Sequence, residues 1–164
     1  MLYPHVRYKR ITDIPVDLFL KKNIRGLILD VDNTMTTHDN MALAPGVAAW
    51  LEEVKRNNIK LIILSNNSPQ RVAPMAKELS IEFEADARKP LGDGYYRACK
   101  RLRLTPHEVA AIGDQIFTDV LGARLAGIYC VFVDYIKAES GRFFWFKRML
   151  ERPILSAFER KRKR

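Results

Sequence analysis

Cysteine and histidine are scarce in this chain of 164 residues, which has two cysteines and three histidines. Cys99 and Cys130 are far apart, in stretches predicted to be helix and strand, so neither a disulfide framework nor a zinc site is indicated. A reducing cytoplasm is the simplest compartment. His5, His38 and His107 lack metal-ligand spacing, and we expect them to be structural or surface residues.

Long apolar runs are also missing. The N-terminal residues contain no run of signal-peptide length, and no stretch approaches the roughly 18 apolar residues of a membrane span. A soluble or peripheral protein is therefore expected. The glycine-rich dinucleotide motif, the P-loop lysine motif and the Gly-x-Ser-x-Gly motif are absent as well. Nucleotide-binding folds and serine hydrolases thus lose their main support.

The net charge of +9 is concentrated at the two ends of the chain. Residues 1–25 carry six Lys/Arg against two Asp, and residues 142–164 carry nine against two acidic residues, while the middle is close to neutral. An anionic surface should therefore meet the chain ends first. The alternative is that the basic ends only aid solubility.

Five short apolar runs predict the strands of one α/β domain. They are Gly26–Leu29, Ile59–Leu64, Ile81–Ala85, Val109–Ile112 and Tyr129–Val133. Most are apolar throughout, as strands covered on both faces require, whereas the third alternates and is expected at an edge. Helical patterns follow Pro45-Gly46, Ser68-Pro69, Gly92 and Gln115. Strand alternating with helix predicts a doubly wound parallel sheet.

Polar residues cluster where four of these strands end. The clusters are Asp30-Val31-Asp32-Asn33-Thr34, Ser65-Asn66-Asn67-Ser68, Arg88-Lys89-Pro90 and Gly113-Asp114 through Asp119. In open α/β sheets, ligands bind beyond the carboxyl ends of the strands. The clusters together supply a nucleophile, a proton donor, cation ligands and donors for phosphoryl oxygens. Asp30 and Asp114 suit Mg²⁺, which prefers a few carboxylate oxygens.

A calcium-binding EF-hand loop is the other interpretation of Asp-x-Asp-x-Thr. It fails because Met35 and Met41 stand where that loop needs glycine and glutamate. Taken alone, the second cluster is more typical of a plain turn. The four clusters in order, each behind a strand, therefore carry the prediction of an active site.

These four clusters resemble the ordered motifs of the haloacid dehalogenase superfamily. The resemblance implies strand order 3-2-1-4-5 and the following roles. Asp30 would be the nucleophile that forms an aspartyl-phosphate, and Asp32 would be the general acid and base that also offers its carbonyl to Mg²⁺. Ser65 and Asn66 would bind the phosphate, and Lys89 would be a catalytic cation that also binds the phosphate. Asp114 would be a metal ligand, and Thr34 and Asp119 would be supporting residues.

Over most of its length the chain is similar to subfamily IIIA, the group of YqeG-like proteins and mitochondrial-type phosphatidylglycerophosphate phosphatases. This resemblance implies dephosphorylation of phosphatidylglycerophosphate by a cytoplasmic enzyme, peripheral at the inner face of the membrane. Met35-Thr36-Thr37 departs from the more apolar residues expected after the first motif. A soluble sugar or nucleotide phosphate is the alternative substrate. A basic nucleic-acid-binding module is the non-enzyme alternative, which the crowded carboxylates disfavour because they would repel a polyanion.

Residues 1–141 are predicted to form the phosphatase domain, and residues 142–164 a basic, aromatic C-terminal tail. Intervals 35–45 and 68–81 are too short for a separate cap domain, so an open rim is expected, suited to a phosphate presented by a large body or a membrane. Phe143-Phe144-Trp145-Phe146 is interleaved with basic residues, as in a helix lying on an anionic interface. Packing of these aromatics on the sheet or on a partner subunit is the alternative. No motif lies beyond Asp119, so the chemistry is expected not to need the tail.

Overall fold

The computed structural model describes residues 2–37, 40–137 and 142–162, and for residues 40, 41, 142–144 and 162 it describes the backbone alone. The strands are β1 Val6–Tyr8, β2 Gly26–Leu29, β3 Thr36–Thr37, β4 Asn40–Leu43, β5 Lys60–Leu64, β6 Glu82–Glu84, β7 Val109–Gly113 and β8 Tyr129–Val133. The α-helices are α1 Val16–Lys21, α2 Val47–Arg56, α3 Pro69–Leu79, α4 Gly92–Leu102, α5 Leu121–Leu125 and α6 Arg142–Arg162. Short 3₁₀ turns occupy Ile11–Asp13 and Pro106–Glu108, and a π-helical turn occupies Ile116–Val120.

Six strands form one parallel sheet in the order β1-β8-β7-β2-β5-β6. All five predicted strands are present, and their order is the expected 3-2-1-4-5. The alternating strand β6 is at one edge, as its pattern predicts. The sixth strand, β1, was not predicted: it has only three half-buried residues, too few for a pattern to be recognised.

The sheet is covered on both faces, which confirms the doubly wound architecture. Phe19 of α1, Trp50 of α2 and Met75 of α3 pack on one face, against strand residues such as Leu27 and Leu29. Helices α4 and α5 cover the other face, where Tyr95 and Ala123 meet strand residues such as Ile28 and Phe132. Successive strand residues belong to opposite layers, so the runs must be apolar throughout.

Neither interval beside the active-site edge contains a separate domain in the part of the chain that the structure describes. The first contains the two-stranded hairpin β3–β4, and the second contains helix α3 alone. The hairpin itself was not predicted. Met35 and Thr36, which depart from the expected apolar pattern, are both fully buried at its start. The predicted open rim therefore agrees with the described fold.

Helix α6 has two distinct faces. Arg148, Glu151, Leu155 and Phe158 recur at helical spacing on the face that meets the domain, where Glu151 and Phe158 are buried. Trp145, Phe146, Met149 and Leu150 are exposed on another face. The side chains of Phe143 and Phe144 lie outside the described residues. No described helix is both long and apolar enough to span a bilayer.

Candidate active site

Asp30 comes directly after strand β2, and two side chains hold its carboxylate. The Thr34 hydroxyl donates to Oδ2 over 3.1 Å, and Lys89 Nζ donates to Oδ1 over 2.6 Å. Thr34 is brought back to Asp30 by a tight turn in which Asn33 adopts a left-handed conformation (φ 61°), one that asparagine tolerates. Residues 30–34 therefore form a preorganised group around one carboxylate.

Lys89 is a buried cation that bridges two carboxylates. Its ammonium also donates to Asp119 Oδ1 over 2.7 Å, and its side chain is only 5% exposed. Burial alone would lower the pKa of Lys89, but the charges of Asp119 and Asp30 outweigh that effect and raise the pKa well above its usual value. Lys89 is therefore a fixed positive charge beside Asp30.

The second cluster positions Lys89. The Asn66 amide accepts from the backbone N–H of Lys89 over 2.7 Å and donates to its carbonyl over 3.3 Å. The buried Ser65 hydroxyl accepts from the backbone N–H of Asn67 over 3.1 Å, and its own O–H can donate to a ligand. Phosphate binding by Ser65 and Asn66 stays a prediction, but the Asn66 side chain has a visible role in fixing the third cluster.

Asp32 lies beside Asp30 in sequence but has different partners. Asn67 Nδ2 donates to its Oδ2 over 2.6 Å, and Arg71 at the start of α3 donates to its Oδ1 over 3.1 Å. The two carboxylates therefore sit in different surroundings: Asp30 faces a buried lysine, and Asp32 faces an amide and a half-exposed arginine. Sequence reasoning missed Arg71, because an exposed helical arginine carries no pattern of its own.

Asp114 and Asp119 complete an acidic group at the end of β7. One carboxylate oxygen from each of Asp30, Asp114 and Asp119 lies within 4.8 Å of the other two. Asp119 also accepts from the Gln115 N–H over 3.1 Å. Gly113 permits this approach, because a Cβ there would lie 2.4 Å from Asp119 Cγ. The four separate clusters thus meet at one sheet edge, as predicted.

The donor set fits a hard divalent cation. Among the described residues, Asp114 Oδ1 is the only buried side-chain oxygen or nitrogen without a hydrogen-bond partner. Buried polar atoms are normally paired, so this oxygen needs a partner. Mg²⁺ binds through one or two carboxylates and keeps several waters. Asp30 and Asp114 are the side chains that would hold it, as the sequence predicts, with Asp119 as a supporting residue.

Burial and neighbouring charges raise the pKa values of the Asp30 and Asp114 carboxyl groups. Burial raises the pKa of Asp30 from 3.8 to about 7, against the opposing charge of Lys89 and with further elevation from Asp119. Burial also raises the pKa of Asp114, although Arg148 opposes that rise. A cation between these carboxylates would favour their ionised forms. The metal-free site is therefore electrostatically unfavourable at neutral pH.

Helix α6 contacts this site, although no recognised motif lies beyond Asp119. The expectation that the chemistry does not need residues 142–164 stays a prediction. Arg148 pairs with Asp114, and Glu151 accepts from the N–H of Ile116 over 2.8 Å. Both side chains lie well outside the recognised motifs. Arg148-x-x-Glu151 is an ordinary ion-pair spacing on a helix, so no sequence pattern indicates its role at the site. The division into a domain and a tail remains a prediction.

Magnesium should stabilise the metal-free protein against heat, because it would relieve the repulsion among these carboxylates. At a free Mg²⁺ concentration of one hundred times Kd, the expected gain is about 2.7 kcal/mol, or roughly 5–10 °C in Tm. Differential scanning calorimetry measures this shift, with NaCl at matched ionic strength as the control. Asp114→Asn should lose most of the shift. A wild-type Tm that Mg²⁺ leaves unchanged would contradict the cation site.

Comparisons with known proteins agree with the fold and the motifs. A family model for haloacid dehalogenase-like hydrolases matches residues 31–127, more than half of the chain. The chain is 37% identical over 153 residues to the probable phosphatase YqeG of Bacillus subtilis, covering 93% of this chain and 89% of the relative. It is 28% identical over 154 residues to the mitochondrial phosphatidylglycerophosphatase GEP4 of Saccharomyces cerevisiae, covering 84% and 81%.

A solved structure shares the fold. The 3-deoxy-D-manno-octulosonate 8-phosphate phosphatase of Moraxella catarrhalis, in complex with magnesium, phosphate and its sugar, matches with a TM-score of 0.55 and 24% identity, over 70% of this chain and 71% of that one. The predicted resemblance is thereby confirmed, and the non-enzyme alternative falls away. The chain belongs to the haloacid dehalogenase-like hydrolases and is an enzyme of the phosphatase type.

Proposed function

We propose that this enzyme transfers the phosphoryl group of a phosphomonoester to Asp30 with the help of Mg²⁺, and that its substrate is phosphatidylglycerophosphate. The observation that carries the chemistry is the Lys89 ammonium fixed between Asp30 and Asp119 at 2.6 and 2.7 Å. A buried cation touching the nucleophile lowers the repulsion between that carboxylate and an incoming phosphate dianion. Lys89 thus serves both attack and phosphate binding.

The first half-reaction uses Asp30 and Asp32. An Asp30 oxygen attacks phosphorus while the bond from phosphorus to the ester oxygen breaks, and Asp32 gives its proton to the departing oxygen. Thr34, which donates to Asp30 over 3.1 Å, holds the nucleophile in orientation. Ser65 and Lys89 would donate to the phosphoryl oxygens as negative charge builds on them.

The second half-reaction returns the enzyme to its starting state. Asp32, now ionised, takes a proton from water as the water oxygen attacks phosphorus, and the bond between phosphorus and Asp30 breaks. Asn67 and Arg71, which hold both Asp32 oxygens, keep this carboxylate facing the same position in both steps. Mg²⁺ bound by Asp30, Asp114 and the Asp32 carbonyl would supply charge neutralisation for the phosphate.

The open rim and the charge distribution support a lipid substrate. With no cap domain in the described intervals, the rim does not enclose the substrate's body, and a phosphate presented at a membrane surface can reach it. The yeast relative is named a phosphatidylglycerophosphatase, and it aligns with most of this chain. Exposed Trp145 and Phe146 on α6 are interleaved in the sequence with basic residues, the composition of an interfacial helix on anionic lipid. This surface would hold the enzyme at the cytoplasmic face of the membrane.

We expect phosphatidylglycerophosphate in mixed micelles to be hydrolysed with higher kcat/KM than glycerol phosphate, sugar phosphates or nucleotides. Lys/Arg contacts, each contributing about 1 kcal/mol at an anionic surface, would concentrate the enzyme near this substrate. Salt should depress lipid hydrolysis more than hydrolysis of a soluble ester, because screening weakens surface attraction over about 10 Å but hardly affects a buried site. Phosphate release across the substrate panel at two ionic strengths measures both effects.

One result of this substrate panel would contradict the lipid assignment. If a soluble sugar or nucleotide phosphate is turned over with higher kcat/KM than the lipid, the lipid assignment is wrong and the soluble substrate takes its place. The aspartyl-phosphate chemistry would remain unaffected by that result. Trp145→Ala provides an internal comparison: it should lower lipid hydrolysis and leave hydrolysis of a chromogenic soluble ester unchanged, since this side chain is exposed and no contact joins it to the site among the described residues.

A further inference from the structure

Helix α6 holds the loop after β7 at three consecutive residues. The contacts are Arg148 with Asp114, Lys147 with Gln115, and Glu151 with the backbone N–H of Ile116. This loop carries the proposed metal ligand Asp114. The helix lies outside the matched part of the family model, which ends at residue 127. The metal site is thus supported by a segment that the shared motifs do not include.

From these contacts we infer that Arg148 is a positioning residue for the metal site, orienting the Asp114 carboxylate so that Oδ1 meets the ion. This inference rests on the proposed function. Arg148 Nη1 donates to the Asp114 carbonyl over 2.6 Å, and Nη2 donates to Asp114 Oδ2. The planar guanidinium fork fixes both acceptors at once. The carboxylate therefore has one favoured rotation about its side-chain bond.

The two oxygens of Asp114 are consequently different. Oδ2 is neutralised by Arg148, while Oδ1 is buried without a partner. A carboxylate with both oxygens free would turn toward any nearby donor. With Oδ2 held, Oδ1 is the oxygen that remains to bind a cation beside Asp30. Outer hydrogen bonds that orient a metal ligand are a general feature of metal sites.

Arg148 is itself held in place. Its Nη1 donates to Glu151 Oε2 over 2.9 Å, and its guanidinium lies 4.7 Å from the centre of the Tyr135 ring. Glu151 is only 2% exposed, and it also accepts from the Ile116 N–H. A long side chain fixed at several points loses little further freedom when it orients Asp114. Arg148 is therefore held firmly enough to fix the orientation of the Asp114 carboxylate.

Removing Arg148 has two opposing effects on the affinity of the site for Mg²⁺. The positive charge of Arg148 repels a nearby cation, so its removal would favour metal binding. Its removal also leaves a buried carboxylate without orientation or a partner, and loss of such outer contacts typically weakens metal affinity by about 10- to 100-fold. The charge is engaged by both Asp114 and Glu151, which reduces its repulsion of the ion. Weaker binding is therefore the expected result.

The test measures Mg²⁺ binding to the full-length protein by isothermal titration calorimetry, together with the Mg²⁺ dependence of chromogenic ester hydrolysis. Arg148→Met should raise the Mg²⁺ Kd by about 10- to 100-fold. Hydrolysis should recover at high Mg²⁺ with KM for the ester unchanged, which a general loss of structure would not produce. Arg148→Lys keeps the positive charge but lacks the planar guanidinium, so its Mg²⁺ Kd should lie between those of the wild type and Arg148→Met. Arg152→Met, an exposed arginine one turn along α6, is the matched control and should bind as wild type.

Circular dichroism establishes that each variant is folded before the titration, and Arg148→Lys carries the test if Arg148→Met does not fold. An Mg²⁺ Kd that is unchanged or lower in a folded Arg148 variant would overturn the positioning role. That result is distinguishable from failure of the proposed function. In the latter case the wild-type protein itself would neither bind Mg²⁺ nor hydrolyse the ester.

Discussion

Replacing Asp30 with asparagine is expected to reduce phosphatase turnover by roughly 10⁴-fold or more, because the amide cannot attack phosphorus. The substitution preserves size, Lys89 can still donate to the remaining side-chain oxygen, and the new amide NH₂ can donate to the Thr34 hydroxyl. The fold should therefore survive. Steady-state phosphate release from a chromogenic ester measures the loss, and circular dichroism checks the fold.

Asp93→Asn is the matched control for that substitution. Asp93 is an exposed aspartate in the first turn of α4, and no described contact joins it to the site. Its variant should keep wild-type turnover. Turnover by Asp30→Asn within about tenfold of wild type, in a preparation free of contaminating phosphatase, would be far above what loss of a nucleophile allows.

Lys89→Met is expected to lower kcat by about 10²- to 10³-fold, the usual effect of removing one preorganised charge from a transition state. It should also destabilise the metal-free fold by about 3–5 kcal/mol near neutral pH, because two buried carboxylates lose their cation. Chemical denaturation measures the free energy of unfolding. Lys100→Met, an exposed lysine on α4, should change neither quantity.

The loss of stability in Lys89→Met should become larger as the pH rises. Because the folded-state pKa of Asp30 is about 7 against an ordinary 3.8, the folded protein holds a proton that the unfolded chain releases, and stability from this group falls as pH rises through that window. Without Lys89 the main influence that opposes burial is lost, so the fall extends to higher pH. The variant's deficit should be larger at about pH 8 than at about pH 5. A deficit that grows toward acid pH would contradict the proposed electrostatics.

Much of this architecture is predictable because strong periodic patterns and local chemistry agree. Continuous apolar runs mark the central strands, and Thr105 and Glu108, which have the Ser/Thr-x-x-Glu spacing of a capping box, cap the short turn before β7. The carboxyl ends of parallel strands necessarily meet at one edge, so Asp30 and Asp114 come together although 84 positions separate them in sequence. Pattern and topology together place the motifs without any knowledge of side-chain contacts.

The unpredicted features depend on tertiary contacts without a local pattern. Strand β1 exists because the edge of β8 offers a partner, and its three residues are too few to show a period. In the sequence, Arg148 and Glu151 have the spacing of an ordinary surface ion pair on a helix. Only the packing of α6 against the loop after β7 makes them part of the site. Buried partners of active-site ligands are thus the class of residue that sequence reasoning is least able to find.

The central claim, a covalent aspartyl-phosphate on Asp30, is tested most directly by trapping it in Asp32→Asn during turnover of a chromogenic ester. A good leaving group needs little protonation, so formation should continue while hydrolysis, which needs Asp32 as base, slows. After rapid acid quench and digestion, mass spectrometry should find one phosphoryl group, on the peptide that contains Asp30, and none in the Asp30→Asn protein. A phosphoryl group on another residue, or hydrolysis without any label on Asp30, would contradict the mechanism.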